Sequence, residues 1–227
     1  MKICDTEIDI PCGSGSLEGR LLYGKEQSSR QGVIICPPHP LLAGNLENNV
    51  VQAIAATMAP HMPVLLFNYR GVGKSWSPRP ELPLYEYWQG LDNDNGYTEI
   101  INDLNLVIQW STRCFTSCHL IGYSFGSYIA LNAFAKTILS LTAVTPPVTN
   151  HDFSKLETVA YPALVILAEN DNLLNSVEGE LQSLGSNQRT VRDSDHFFRR
   201  KELDVSALVR EFILGEKTMD SCDQCEK

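Results

Sequence analysis

Leu120-Ile121-Gly122-Tyr123-Ser124-Phe125-Gly126-Ser127-Tyr128-Ile129-Ala130-Leu131 is the stretch whose reading decides the fold. Leu120-Ile121 enters as the end of an apolar strand, and Ser127-Tyr128-Ile129-Ala130-Leu131 leaves as a helix. Between them, G-x-S-x-G places a serine on a tight strand-to-helix turn, where small flanking residues let the backbone bend without a Cβ clash. Such a turn lifts the Ser124 hydroxyl to the carboxyl end of a sheet and aims the N–H groups of the new helix at developing negative charge. The alternative is an ordinary glycine-flanked βα turn whose serine only caps a helix.

Working outward, short apolar runs alternate with segments of helical period, the pattern of βα units around a mostly parallel sheet. Residues 5–23, broken at Cys12-Gly13-Ser14-Gly15, read as a hairpin. Gly32-Val33-Ile34-Ile35-Cys36-Pro37 reads as a buried strand, and Leu46, Val50, Val51, Ile54, Ala55 and Met58 form one face of a helix stopped by Pro60 and Pro63. Val64-Leu65-Leu66-Phe67 is the next strand, with residues 68–75 as its loop. An irregular stretch over 76–96 precedes a helix carrying Ile100, Ile101, Leu104, Val107 and Ile108. Beyond the serine turn the reading gives a helix near 127–136, strands near 139–144, 163–168 and 188–192, and a closing helix near 205–214. Residues 1–215 are expected to form one domain and 216–227 a polar tail.

Composition narrows the partners. The chain has 227 residues, with 18 basic against 27 acidic side chains and a net charge of −9, a balance that repels nucleic-acid backbones and anionic lipid headgroups. Acids at Asp5 and Glu7 stand where a secretory signal needs an apolar core, and no apolar run approaches the roughly 18 residues of a membrane span, so a cytoplasmic protein is expected. Seven cysteines at irregular spacing read as reduced thiols. Cys222-Asp223-Gln224-Cys225 has no second pair nearby to complete a tetrahedral zinc site, and no metal is expected. Gly71-Val72-Gly73-Lys74-Ser75 ends like a P-loop, but Asn68 stands where the first glycine belongs, and Trp76 fills the third glycine of a dinucleotide fingerprint. No cofactor is expected.

A serine hydroxyl needs a base, and the base needs an acid to fix its tautomer. In elbow proteins these follow in the order serine, acid, histidine. Of the two histidines after Ser124, His151 precedes every acid-bearing strand end and is assigned to a surface loop, which leaves His196 as the base. Asp171, just beyond the strand at 163–168, is the acid, with Glu169 as competitor; Asp195 adjoins His196 and points away from it. Oxyanion donors are expected from the backbone N–H of Phe125 and from the loop 37–42, where Pro37, Pro38 and Pro40 have none; similarity to elbow proteins with His-Gly before the donor, where this chain has His39-Pro40, implies Leu41. His39 is either a structural histidine ordering that loop or a site residue.

Together, Pro38-His39-Pro40-Leu41 with Gly44-Asn45 and Asn48-Asn49, the run Phe67 to Ser75, the serine turn, and Asp195-His196-Phe197-Phe198 resemble the α/β-hydrolase superfamily. The resemblance is strongest to small, lidless hydrolases akin to dienelactone hydrolases, although those use a cysteine nucleophile where this chain has Ser124. It implies an α/β-hydrolase fold with helices on both faces of a mostly parallel sheet, a Ser–His–Asp site and no cap domain. The expected function is hydrolysis of an ester, thioester or related acyl bond of a small substrate through an acyl-enzyme on Ser124. A serine peptidase, or a catalytically silent binding or scaffold protein, is the alternative. The 76–96 stretch, rich in aromatic residues, is expected near the active-site face, with Trp76, Trp88, Tyr123 and His39 as pocket residues.

Overall fold

Gly13, at φ 56°, makes the left-handed turn that folds β1 (Ile3–Cys12) back on β2 (Gly15–Gly24), so that Ile3 faces Gly24 and Cys12 faces Gly15. In this computed structural model, which describes residues 2–25, 29–173 and 187–215, the hairpin forms one edge of an eight-stranded sheet. The remaining strands are β3 (Gln31–Cys36), β4 (Val64–Phe67), β5 (Ser117–Tyr123), β6 (Ile138–Val144), β7 (Ala163–Ala168) and β8 (Gln188–Val191). Their spatial order is β1-β2-β4-β3-β5-β6-β7-β8, antiparallel through the first three and parallel from β4 onward.

Both faces of the parallel strands are apolar because both are covered. Val33, Ile35, Val64, Leu66 and Ile121 pack toward α1 (Asn49–Met58) and the last helix, α5 (Glu202–Leu214). Their neighbours Ile34, Cys36, Leu65, Phe67 and Leu120 pack toward α3 (Thr98–Ser111) and α4 (Phe125–Asn132). The Asn48 side chain caps α1 by accepting from the N–H groups of Val50 and Val51 at 3.0 and 3.4 Å. Among the described residues no cap domain is inserted: only turns and one short 3-10 segment, Ser154–Glu157, lie between β6 and β7.

The stretch 76–96, expected to be irregular, contains α2 (Leu84–Asp94). Leu84, Trp88 and Leu91 recur at helical spacing there, with Pro83 setting the entry. The tail 216–227 and its Cys222/Cys225 pair lie outside the described residues.

The P-loop look-alike proves to be a carboxylate cradle. Glu18 accepts from the Lys74 N–H at 2.7 Å and from the Asn68 amide at 2.8 Å, and Gly73, at φ 59°, leaves no room for a Cβ beside that carboxylate. The adjoining Arg70 holds the same loop to α3: its Nε and Nη2 each donate to Asp103 at 2.6 Å, and Nη1 reaches Glu99. Cys12 completes the cluster by donating its thiol to Asp103 at 2.8 Å, and burial beside that acid pushes the thiol up to about 12. Asp103 is 1% exposed, so removing it strands a buried guanidinium, whereas Glu99 stands largely in water. Asp103→Ala is therefore expected to lower unfolding stability by about 3–5 kcal/mol in urea denaturation. The same measurement on Glu99→Ala should give less than about 1 kcal/mol.

Candidate active site

The elbow forms because two side chains are missing. A Cβ on Gly122 would sit 2.3 Å from the Gly126 carbonyl oxygen and 2.4 Å from Ser127 Cα. One on Gly126 would sit 2.2 Å from the Cys36 carbonyl oxygen. Between these glycines Ser124 takes φ 51°, ψ −120°, a strained setting for an L-residue, and its N–H is pinned to the Val144 carbonyl at 2.8 Å. The Ser127 hydroxyl braces the turn by donating to the Gly122 carbonyl at 2.8 Å. α4 begins at Phe125, whose N–H therefore has no acceptor within the helix.

Three residues distant in sequence meet at this turn. The Ser124 hydroxyl lies 3.0 Å from His196 Nε2, and His196 Nδ1 lies 2.8 Å from Asp171 Oδ2. Because the carboxylate only accepts, the ring proton sits on Nδ1 and Nε2 is left to accept from the serine. Asp171 is 2% exposed and its other oxygen accepts from the Leu173 N–H at 3.0 Å, which fixes its orientation. Glu169, the competing acid, instead accepts from the Asp193 N–H at 2.8 Å. Asp195 is taken by the Phe197 N–H at 3.0 Å.

In front of Ser124 lies a cavity of about 670 Å³, whose lining includes Leu41, Leu42, Phe125, Leu173 and His196. His39, Asp92, Asn95, Tyr97, Thr149, Asn150 and His151 supply its polar wall. Three of the expected pocket residues lie elsewhere. Trp76 packs on the β1–β2 turn, where a Cβ on Gly15 would fall 2.4 Å from its ring, and its backbone N–H donates to the Ser16 carbonyl at 2.8 Å. Trp88 is fully buried behind the wall, edge-on to His39 at 5.1 Å and to Phe125 at 6.0 Å. Tyr123 is buried on the far side of the triad geometry; its hydroxyl donates to the His196 carbonyl at 2.8 Å and its ring stacks on the imidazole. Strand alternation puts Tyr123 with Ile121 on the face toward α1 and α5, whereas Phe125 belongs to the helix on the other face, which a count of aromatic residues does not reveal.

His151, expected on a surface loop, lines the cavity and stacks on Tyr128 at 4.3 Å. His39 lines it too. Its Nδ1 accepts from the Leu41 N–H at 3.3 Å, so Nε2 carries the proton and donates to Asp92 Oδ1 at 3.0 Å. The Leu41 N–H is thus already engaged, by a long bond. Burial drives His39 toward the neutral form more strongly than Asp92 opposes it, and burial does the same to His151. Asp92, Asn95 and Tyr97 escaped the sequence reading, although the Leu84, Trp88, Leu91 spacing was there to place a helix beside the site. Among the described residues no cluster of three or more metal-ligating side chains occurs.

Solved structures of other proteins share this fold. An alpha-beta serine hydrolase homologue from Coxiella burnetii is 25% identical, superposes with a TM-score of 0.76, and covers 92% of this chain and 97% of its own. This chain has the α/β-hydrolase fold. XC6422 from Xanthomonas campestris, an α/β serine hydrolase without a lid, is also 25% identical, with a TM-score of 0.74 over 93% of this hydrolase-fold chain and 94% of its own. An uncharacterized protein of Rickettsia prowazekii, RP471, shares 27% identity over 219 residues, 88% of this chain and 85% of the relative. No family model matches the chain. These two solved neighbours, one an α/β serine hydrolase homologue and the other an α/β serine hydrolase, support a hydrolase. No helix among the described residues is long and apolar enough to cross a membrane.

Two outcomes follow from this geometry. Gly126→Ala forces a Cβ into the backbone carbonyls of Cys36 and Pro37, and is expected to cost about 2–4 kcal/mol in chemical denaturation. The second concerns pH. His39, His119 and His151 are all lowered from the ordinary 6.5 by burial, so below pH 6.5 the unfolded chain binds protons that the folded chain resists. The folded state consequently loses stability as pH falls through that value, and Tm should drop between pH 7.5 and 5.5. His119, far from the cavity and bonded to Ser140, provides the check: His119→Asn should flatten part of that slope.

Proposed function

We propose that the protein is a serine hydrolase cleaving an ester, thioester or related acyl bond of a small substrate through an acyl-enzyme on Ser124. One observation carries the reading: the unbroken hydrogen-bond chain from Ser124 through His196 to Asp171, opening on the cavity. His196 Nε2 takes the hydroxyl proton as Ser124 Oγ attacks the carbonyl carbon. Asp171 holds the tautomer and stabilises the imidazolium that forms. The proton then passes to the leaving alcohol or thiol as its bond to the acyl carbon breaks. A water molecule, deprotonated by the same imidazole, attacks the acyl-enzyme, releasing the acid and restoring the serine.

Negative charge on the tetrahedral oxygen is met by the unpartnered Phe125 N–H at the start of α4. The N–H of Leu41, a residue lining the same cavity, is the second donor once its 3.3 Å bond to His39 yields to the stronger, charged acceptor. An uncapped cleft suits a small acyl substrate taken directly from solvent.

Labelling with a fluorophosphonate tests the reading. The wild-type protein should acquire one adduct, on Ser124, and Ser124→Ala none; an adduct that survives this substitution would overturn it. With a p-nitrophenyl ester, Asp171→Asn is expected to reduce kcat by about 10³–10⁴ through loss of the correct tautomer. Glu169→Gln should stay within about threefold of wild type, since Glu169 binds only a loop N–H.

A further inference from the structure

The cavity in front of Ser124 is electrostatically one-sided. Its lining carries one unneutralised charge, the carboxylate of Asp92, and no lysine or arginine among the described residues. The imidazoles of His39 and His151 are held toward neutrality by burial. Asp171, the only other acid at the site among the described residues, is sealed behind His196.

Asp92 is also arranged to keep one oxygen available. His39 Nε2 at 3.0 Å and the Tyr97 hydroxyl at 2.8 Å both donate to Oδ1. Among the described residues neither a hydrogen bond nor an ion pair falls on Oδ2, and the side chain remains 37% exposed. Two donors on one oxygen fix the carboxyl plane at the last turn of α2 without satisfying its second oxygen. Beside it stand the rings of Tyr97 and Phe125, 4.9 Å apart and both lining the cavity. A fixed carboxylate with aromatic walls and no competing cation has the chemistry of an ammonium receptor, in which Coulomb and ring-quadrupole attraction act together.

We propose that Asp92 selects acyl substrates bearing a positively charged ammonium group, and that the site discriminates against anionic ones such as nucleotide-linked thioesters. The proposal rests on the hydrolase reading above and adds the charge of the substrate to it. A carboxylate or phosphate entering the cavity meets Asp92 and a protein of net charge −9, with nothing in the lining to offset either. An ammonium group meets the free Oδ2.

The test uses esters matched in shape and differing in charge. One series comprises the p-nitrophenyl esters of 4-(trimethylammonio)butanoate, 5,5-dimethylhexanoate and hemiglutarate; the other compares choline butyrate with 3,3-dimethylbutyl butyrate, placing the charge on the alcohol side. For the wild-type protein, kcat/KM is expected to favour the cation over its neutral isostere by about tenfold in at least one series, with the anion below both, and raised salt should shrink the ratio. Asp92→Asn should bring the cation-to-neutral ratio close to one, and Asp92→Glu should restore most of it. Thr149→Lys, an exposed substitution on the same rim, should also depress the ratio and serves if Asp92→Asn fails to fold. Glu86→Gln, on α2 but outside the lining, should leave it unchanged.

A wild-type ratio near one in both series, or an Asp92→Asn variant that slows all the esters equally, would overturn the proposal; in the second case Asp92 only orients His39. Failure of the parent reading looks different: the neutral esters themselves would not be turned over, and Ser124 would take no fluorophosphonate.

Discussion

Two backbone oxygens, those of Cys36 and Pro37, lie where a side chain at position 126 would begin. The whole site depends on that emptiness. Because α4 can approach the end of β3 this closely, the serine turn stands directly beside the loop that carries His39 and Leu41, and the two oxyanion candidates share one cavity. A methyl group at Gly126 would push helix and loop apart and separate those donors. Gly122 enforces the same closeness on the other side, against the first turn of the helix itself. The strained φ of Ser124 is then held by its surroundings: the Val144 carbonyl takes its N–H, and Ser127 ties back to Gly122.

This constraint also explains which parts of the molecule could be read from the sequence. The serine, acid and histidine each follow a strand of the parallel half of the sheet, and a parallel sheet gathers the carboxyl ends of its strands at one edge. Order along the chain therefore translates into proximity, and Ser124, Asp171 and His196 are found in contact. The choice between Asp171 and Glu169 was not decided by position, since both sit in the same turn; it is decided by the Asp193 N–H, which occupies Glu169. The cavity wall was much less legible. Its residues come from loops, which lack the periodicity that buried faces impose, and from the end of α2, whose Leu84, Trp88, Leu91 spacing marks a helix but not which of its residues reach the cavity; aromatic richness pointed to Trp76 and Trp88, which are packing residues. His151 does lie on a loop, but that this loop walls the cavity was not legible, because chain order governs the triad and says nothing about which loops wall a pocket.

The same economy of backbone contacts recurs at the loop after β4. There a glycine-rich turn that in other proteins cradles a phosphate wraps around the carboxylate of Glu18. The physics is shared, because a nest of N–H groups accepts any anion of suitable size. The difference is that this chain supplies its own, from β2, and uses it to dock the N-terminal hairpin onto the parallel core. Arg70 and Asp103 perform the complementary task beneath it, joining the loop to α3 and the Cys12 thiol.

The packing of α5 on α1 bears on how the chain is made. The apolar face of α1, complete by residue 58, is covered by Val205 and Val209 near the other end of the sequence. A nascent chain emerging from the ribosome must carry that uncovered face through the synthesis of well over half the protein, because contacts this distant cannot form until the last helix is free. Truncation of the final helix would leave the same surface open permanently. During synthesis this surface is therefore open, and the docking of α5 is what closes it.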